Sequence, residues 1–436
     1  MIHFGRIDNG IGIFMRILIE PSEYSTLQNL GDVAMQKTAV GRIAKFWPAA
    51  DIQVFTESPQ SLPGYAPNVQ GMSNIGRQIW MSGILPQRRV PRFIRHCERR
   101  ARARHPQLGE RLVKFSLKLR SDQRATAVTS FLEATQTADL LVVCGMGGIT
   151  DTFEQYALDL LDSIALVKEN RKSVVALFGQ AFGPIGNHTF LAERAREVLP
   201  QIDFIALREA RASIPLLESM KVDLSRVKVT GDDALEIAAK NRGSALGNTL
   251  GLNLRVASYS KVTVEHVAQL REVILPFARS RAAALQPLPS SLYIEDAELN
   301  YIATLTEGHE RICNSNVTDT ATLTTQVLGC RIAIVGSYHA GVFALAQGVP
   351  IVGLYNSDYY RDKFLGLEAL FGLGVFPVDL SVPGWKTNLI RQANVAWETA
   401  PSCRIPLMEE ADRQIESGLR AYHELRALVD ARFGQA

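Results

Sequence analysis

Apolar positions along the chain keep two alternating rhythms. Short aliphatic runs, bounded by Gly, Asn or Asp, read as buried parallel strands. Between them lie longer stretches whose apolar residues recur at helical spacing. In the first half this predicts strands at 16–20, 51–55, 139–143, 173–178, 204–207 and 227–230. Helices are predicted at 33–46, with Asp32 as N-cap, from about 150 to 169, and at 189–199 and 212–220. A Gly- and Asn-containing linker at 240–248 follows. The pattern then restarts, with strands at 250–254, 291–294, 310–314, 331–335, 350–354 and 375–378. Its helices are predicted at 263–281, 320–328, 340–347, 359–371, 386–398 and 405–432. The fold class is therefore α/β, as two Rossmann-like, doubly wound domains facing a cleft. The expected domains are 15–240, with a basic insertion at 60–124, and 249–400, followed by a C-terminal helix at 401–436. Residues 60–91 lack a period and read as a long loop, a lid or binding insertion.

The stretch 331–354 organises the rest. It reads as strand, loop, helix and strand, with Gly336-Ser337-Tyr338-His339 at the carboxyl end of the first strand and Gly348 as C-cap. Open α/β sheets bind ligands at that end. A histidine and a serine before a helix N-terminus form a corner suited to acid/base work and to anions. The plainer alternative makes Ser337 a helix cap and His339 a satisfied first-turn residue.

Composition narrows the partners. The 436 residues are 47% hydrophobic and 21% charged, a globular balance, with a net charge of only +3. Five scattered cysteines suggest neither a zinc site nor a disulfide framework and fit a reducing cytosol. No apolar run approaches the ~20 residues of a membrane span, and no signal-peptide pattern opens the chain. Residues 1–14 precede the first convincing strand and read as a non-native or mis-called extension. Between Arg77 and Arg124 the charge turns strongly positive, against only Glu98, Glu110 and Asp122. A solvated helical face is one reading. The sharper one is peripheral contact of 88–104 with anionic lipid or a polyprenyl-diphosphate-linked substrate. Aromatics are not interleaved through the run, so nucleic acid is not the expected partner.

Other chemistry-bearing residues also follow strands. Gly145–Gly148, including Gly147 and Gly148, and Gly179–Gly183, including Gln180, are turns that let backbone approach a phosphate or a sugar. Neither is a dinucleotide fingerprint. Arg208 follows the strand at 204–207, placed to clamp a carboxylate or phosphate or to pair with Glu209. Gly231-Asp232-Asp233 brings two carboxylates to the same edge.

Taken in order, Asn29-Leu30-Gly31-Asp32, Gly145-Met146-Gly147-Gly148, Gly179-Gln180-Ala181-Phe182-Gly183-Pro184, Arg208 to Ser213, Gly231-Asp232-Asp233-Ala234 and Ser337-Tyr338-His339-Ala340 resemble the polysaccharide pyruvyl transferase family. The resemblance spans about residues 15–378. Many members carry Arg-Leu-His where this chain has Ser337-Tyr338-His339, which resembles a second, Ser-aromatic-His subgroup. The resemblance implies a GT-B-like domain pair and pyruvyl transfer from phosphoenolpyruvate onto two hydroxyls of a sugar, forming a cyclic ketal. The acceptor would belong to a cell-surface polysaccharide or its lipid-linked precursor, the enzyme would be cytoplasmic, and no cofactor or metal is implied. His339, Arg208 and Lys363 are then the expected catalytic groups. Asp32, Gly147, Gly148, Gln180, Asp232, Ser337, Tyr338 and Arg361 would contact substrate, with Arg208, Arg361 and Lys363 supplying the donor's cations. A GT-B glycosyltransferase using a nucleotide-sugar and a non-catalytic glycan-binding protein are the alternatives.

Overall fold

The computed structural model describes residues 15–22, 28–57, 69–84, 90–118, 122–293 and 297–434. One sheet holds β1 (Arg16–Glu20), β2 (Asp51–Thr56), β3 (Val69–Ser73), β4 (Leu140–Val143), β5 (Val174–Gln180), β6 (Phe204–Leu207) and β7 (Val227–Val229), in the order β3-β2-β1-β4-β5-β6-β7. The other holds β8 (Thr249–Asn253), β9 (Leu285–Pro287), β10 (Cys330–Val335), β11 (Ile351–Tyr355) and β12 (Val375–Asp379), in the order β12-β11-β10-β8-β9. All the strand pairings are parallel. The helices of the first domain are α1 (Leu30–Phe46), α2 (Ile75–Ser82), α3 (Arg92–Arg104), α4 (Pro106–Lys118), α5 (Asp122–Thr137), α6 (Glu154–Lys168), α7 (Phe190–Val198), α8 (Ser213–Ser219) and α9 (Ala234–Ala238). Those of the second are α10 (Val264–Ser280), α11 (Glu298–Thr306), α12 (Thr320–Leu328), α13 (Tyr338–Ala346), α14 (Asp358–Phe371) and α15 (Trp385–Phe433). The two expected Rossmann-like domains are both present.

Parallel strands covered by helices on both faces must be apolar on both faces. Alternate residues of β4 and β5 accordingly enter different cores. Leu141, Val143, Val175 and Leu177 pack with α5 and α6, while Leu140, Val142, Val174 and Ala176 pack with α1 and the end of α15. Strand order reverses between β1 and β4 in the first sheet and between β8 and β10 in the second. At such switch points the connections diverge and leave a crevice beyond the carboxyl ends.

The domains share a core. Leu30, Ala34 and Met35 of α1 and Ala234, Leu235 and Ala238 of α9 pack with Leu323 and Val327 of α12 and with Val342 and Phe343 of α13. Backbone joins them as well: Leu30 N–H donates to Ser290 O at 3.0 Å and Leu292 N–H to Gln28 O at 2.9 Å. The crevice between the sheets is thus narrow.

Several expected elements differ. Residues 386–398 and 405–432 belong to a single 49-residue helix, α15, which runs through Pro401 and Pro406. A helix of that length spans roughly 70 Å. Each proline removes a backbone donor, but packing holds the helix along its course. Leu389 and Trp397 lie in the second sheet's core, Leu407 and Ala411 in the shared core, and Tyr422, Leu425 and Val429 in the first sheet's core. The expected loop at 60–91 contains β3 and α2, while 58–68 and 85–89 fall outside the described residues. In place of a strand at 291–294 the sheet edge is β9, and 310–314 contributes an isolated bridge through Ile312. Helix α1 begins at Leu30 after Asn29, so Asp32 sits in its first turn and is not the N-cap.

The basic segment turns several cations inward. Arg77 pairs with Glu20 at 2.7 Å. Arg99 meets Asp159 and Asp162 of α6 at 2.6 and 2.7 Å, and Arg100 meets Glu197 of α7 at 3.0 Å. Arg102 pairs with Glu98 and stacks on Trp80. Arg104 remains exposed. Among the described residues no helix is long and apolar enough to cross a membrane.

Candidate active site

The two switch points face each other across a cavity of about 80 Å³. The first domain contributes Asn29 and Asp32 from the start of α1, Met146 and Gly147 after β4, and Arg208 after β6. From the second domain come Arg255 after β8, Ser337, Tyr338 and His339 after β10, and Tyr359, Tyr360 and Lys363 of α14. Phe153 and Tyr259, 5.4 Å apart, close one wall.

His339 lies inside the first turn of α13, not before the helix as the sequence pattern suggested. It is buried, with Nε2 3.8 Å from Asp232 Oδ2. Its ring presses on the first turn of α1, so that a Cβ at Gly31 would overlap it. Only a glycine in the Asn29-Leu30-Gly31-Asp32 turn lets the two domains meet there. Burial first, then the nearby Arg208, Lys363 and Arg255, hold the imidazole pKa well below its usual 6.5. His339 is therefore neutral at neutral pH and able to accept a proton.

Arg208 is 1% exposed, one of the largest fully buried side chains among the described residues. It pairs with Asp232 at 3.4 Å, and its guanidinium lies over the Tyr338 ring at 4.3 Å. Glu209, the other candidate partner, is occupied elsewhere: it accepts the Ala212 and Ser213 N–H groups and caps α8. Burial raises the Asp232 pKa against the opposing pull of Arg208. The neighbouring Asp233 faces away, toward Arg42 at 3.3 Å. A Cβ at Gly147 would come 2.5 Å from Arg208 Nη2 and 3.2 Å from Lys363 Cε, so this position admits the two cations only as glycine.

Lys363 is enclosed by aromatic rings, 4.0 Å from Tyr359 and 5.3 Å from Tyr360. Burial and then Arg208 push its ammonium pKa well below 10.5, with Asp32 acting in the opposite sense. Tyr359 clamps the domains by donating its hydroxyl proton to Gly147 O at 3.0 Å.

Of the other expected contacts, Arg361, Gln180 and Gly148 fall outside the cavity, while Ser337 lines it. Arg361, two positions from Lys363 on α14, is 43% exposed in its side chain and paired with Asp358 and Asp362. Gln180 donates to Cys144 O at 3.0 Å and ties β5 to the turn after β4. Gly148 packs against Tyr156. Ser337 occupies the N-cap position of α13 without a side-chain cap bond; its hydroxyl accepts from Ser290 Oγ at 2.8 Å.

Arg255 was not found by sequence reasoning. It is held by Glu298 at 2.7 Å, and Glu298 in turn accepts from Asn253 Nδ2 and the Ser290 and Ser291 N–H groups. Its one sequence signal is its place, two residues beyond β8 at the second sheet's switch point.

Solved structures of similar fold include proteins described as UDP-sugar epimerases and glycosyltransferases. The chain aligns with a protein described as a UDP-N-acetylglucosamine 2-epimerase from Listeria monocytogenes at TM-score 0.58 and 13% identity, over 97% of this chain and 98% of that one. It aligns with the UDP-GlcNAc 2-epimerase of Neisseria meningitidis at TM-score 0.53 and 11% identity, over 95% and 100%. A UDP-glucosyltransferase from Polygonum tinctorium gives TM-score 0.53 and 11% identity, over 96% and 99%. At such identities the likeness establishes the GT-B-like fold alone. No curated protein matches the chain in sequence. The sequence profile of the polysaccharide pyruvyl transferases, however, matches residues 29–358, from the first turn that meets His339 to the start of α14. The chain belongs to the polysaccharide pyruvyl transferase family.

Proposed function

We propose that this transferase moves a pyruvyl group from phosphoenolpyruvate onto two hydroxyls of one sugar of a cell-surface polysaccharide or its lipid-linked precursor. The observation that carries this reading is the convergence of three buried cations, Arg208, Arg255 and Lys363, on one small cavity beside the His339–Asp232 pair. A carboxylate and a phosphate held close together on a compact donor require such a set. Pockets for drug-sized ligands run from about 300 to 1,000 Å³, so a cavity of about 80 Å³ favours the compact donor over a whole nucleotide-sugar.

Arg208 holds the donor carboxylate, while Lys363 and the free N–H groups opening α13 take the phosphate. Arg255 supplies the cation that other members carry at the Ser337 position; the exposed Arg361 does not. Neutral His339 removes a proton from the attacking hydroxyl. One hydroxyl proton ends on the donor's methylene carbon, which becomes a methyl, and Asp232 beside His339 is placed to relay it. The carbon–oxygen bond to phosphate breaks, the second hydroxyl closes the ketal, and its proton leaves with phosphate. Asp32 faces the same cavity and orients the acceptor.

A thermal-shift comparison tests the donor. Phosphoenolpyruvate at 100 times its Kd should stabilise the protein by about 2.7 kcal/mol, while UDP-N-acetylglucosamine leaves Tm unchanged. Arg255→Met should abolish most of the shift. Stabilisation by the nucleotide-sugar alone would instead favour a glycosyltransferase, and a response to neither would favour a glycan-binding protein without catalysis.

A further inference from the structure

Helix α4 is apolar on two faces, and among the described residues only one of them is packed. Val113 and Leu117 enter the core beneath it, together with Trp80. Leu108, Leu112 and Phe115, spaced four and three residues apart, lie exposed along another stripe. Phe93 and Ile94, in the first turn of α3, are also exposed; Phe93 and Phe115 are 65% and 72% accessible. A surface helix needs one apolar face to fold, and large exposed apolar side chains on two helices that pack together point to an interaction surface.

The charge around this patch selects the partner. Residues 92–118 carry nine Lys or Arg against two acids, Glu98 and Glu110. Both acids are paired locally, with Arg102 and Lys114. Arg99 and Arg100 are spent on acids of α6 and α7, whereas Arg104, although 4.0 Å from Glu197, is 71% exposed in its side chain and Arg111 is exposed as well. A second copy of the chain would bring like charge to like. Apolar side chains flanked by exposed arginines match the boundary of a bilayer with anionic headgroups, where rings and aliphatic chains enter the acyl edge and cations meet phosphate.

We infer that α3 and α4 form a docking surface for anionic phospholipid membrane, with Phe93, Leu112 and Phe115 as the inserting residues and Arg104 and Arg111 as the headgroup contacts. The surface differs from one built on Arg99, Arg100 and Arg102, which the fold engages internally. It stands without the proposed reaction, because membrane binding requires neither donor nor acceptor.

Co-sedimentation of the full chain with phosphatidylcholine vesicles, with and without phosphatidylglycerol, tests it. The chain should partition onto the mixed vesicles only, and less so as salt rises. The double variant Phe93→Ser/Phe115→Ser and the double variant Arg104→Glu/Arg111→Glu should each lower partitioning roughly tenfold or more. All four side chains are exposed, and Glu197 beside Arg104 keeps its shorter pairs with Arg100 and Arg194, so melting should change little. Failure of the wild type to bind mixed vesicles, equal binding to uncharged vesicles, or wild-type binding by both variants would overturn the inference. So would an oligomer in gel filtration that disperses in Phe93→Ser/Phe115→Ser, which would assign the patch to a second copy.

Discussion

His339→Ala should lower turnover by roughly 10²–10⁴-fold, the range for losing a positioned acid/base group. Burial and the nearby Arg208, Lys363 and Arg255 hold the imidazole pKa low, and Asp232 stands 3.8 Å away to receive or return a proton. Folding should survive, because the shared core lies behind it in Leu30, Ala34, Leu323 and Phe343 and keeps those contacts. The space left beside Gly31 is polar-edged and accessible to water from the cavity. Steady-state kinetics together with a melting curve separates the cases. Low turnover at near-native Tm supports the catalytic assignment. Near-normal turnover with a collapsed Tm would make the histidine structural and move catalysis to Arg208, Lys363 and Asp232.

Arg208→Met should weaken the donor more than any other single change to the binding cations. Truncating one member of a buried, hydrogen-bonded charge pair costs about 2–5 kcal/mol, read here as a loss of roughly 30-fold or more in donor affinity. Asp232 would be left without its 3.4 Å partner, but burial already raises its pKa, so it takes up a proton and the folding cost is softened. Arg361→Ala is the contrasting variant. Its side chain is paired with Asp358 and Asp362 outside the cavity, and donor affinity should be unchanged within error. Equal losses from the two variants would mean that the cations act only as a diffuse field.

Much of the fold was legible because buried parallel strands declare themselves. The runs at 16–20 and 204–207 and the helix at 320–328 have the bounds that apolar pattern and flanking polar residues imply. The site's address was legible too, since His339 follows a strand at a switch point. What was hidden depends on tertiary packing. Nothing local shows that Arg255 joins a cavity lined by both domains, or that Arg99 finds acids 60 and 63 residues away. Prolines 401 and 406 argue locally for a break, and contacts with three cores override them. The choice between Arg361 and Lys363 was within reach. Two steps along a helix turn a side chain by roughly 200°, so the two residues cannot both face the cavity.

An anionic donor should stabilise the protonated forms of His339 and Lys363. Burial, and after it Arg208, lowers the pKa of both groups. A bound carboxylate and phosphate must raise both, so the complex carries more protons than the free protein. Affinity should then fall as pH rises through the window between the lowered and restored pKa values. Isothermal titration calorimetry of phosphoenolpyruvate, in buffers of different ionisation enthalpy, measures that proton count. Net proton uptake is expected at neutral pH, reduced in His339→Ala. Binding with no proton exchange, or with proton release, would contradict it.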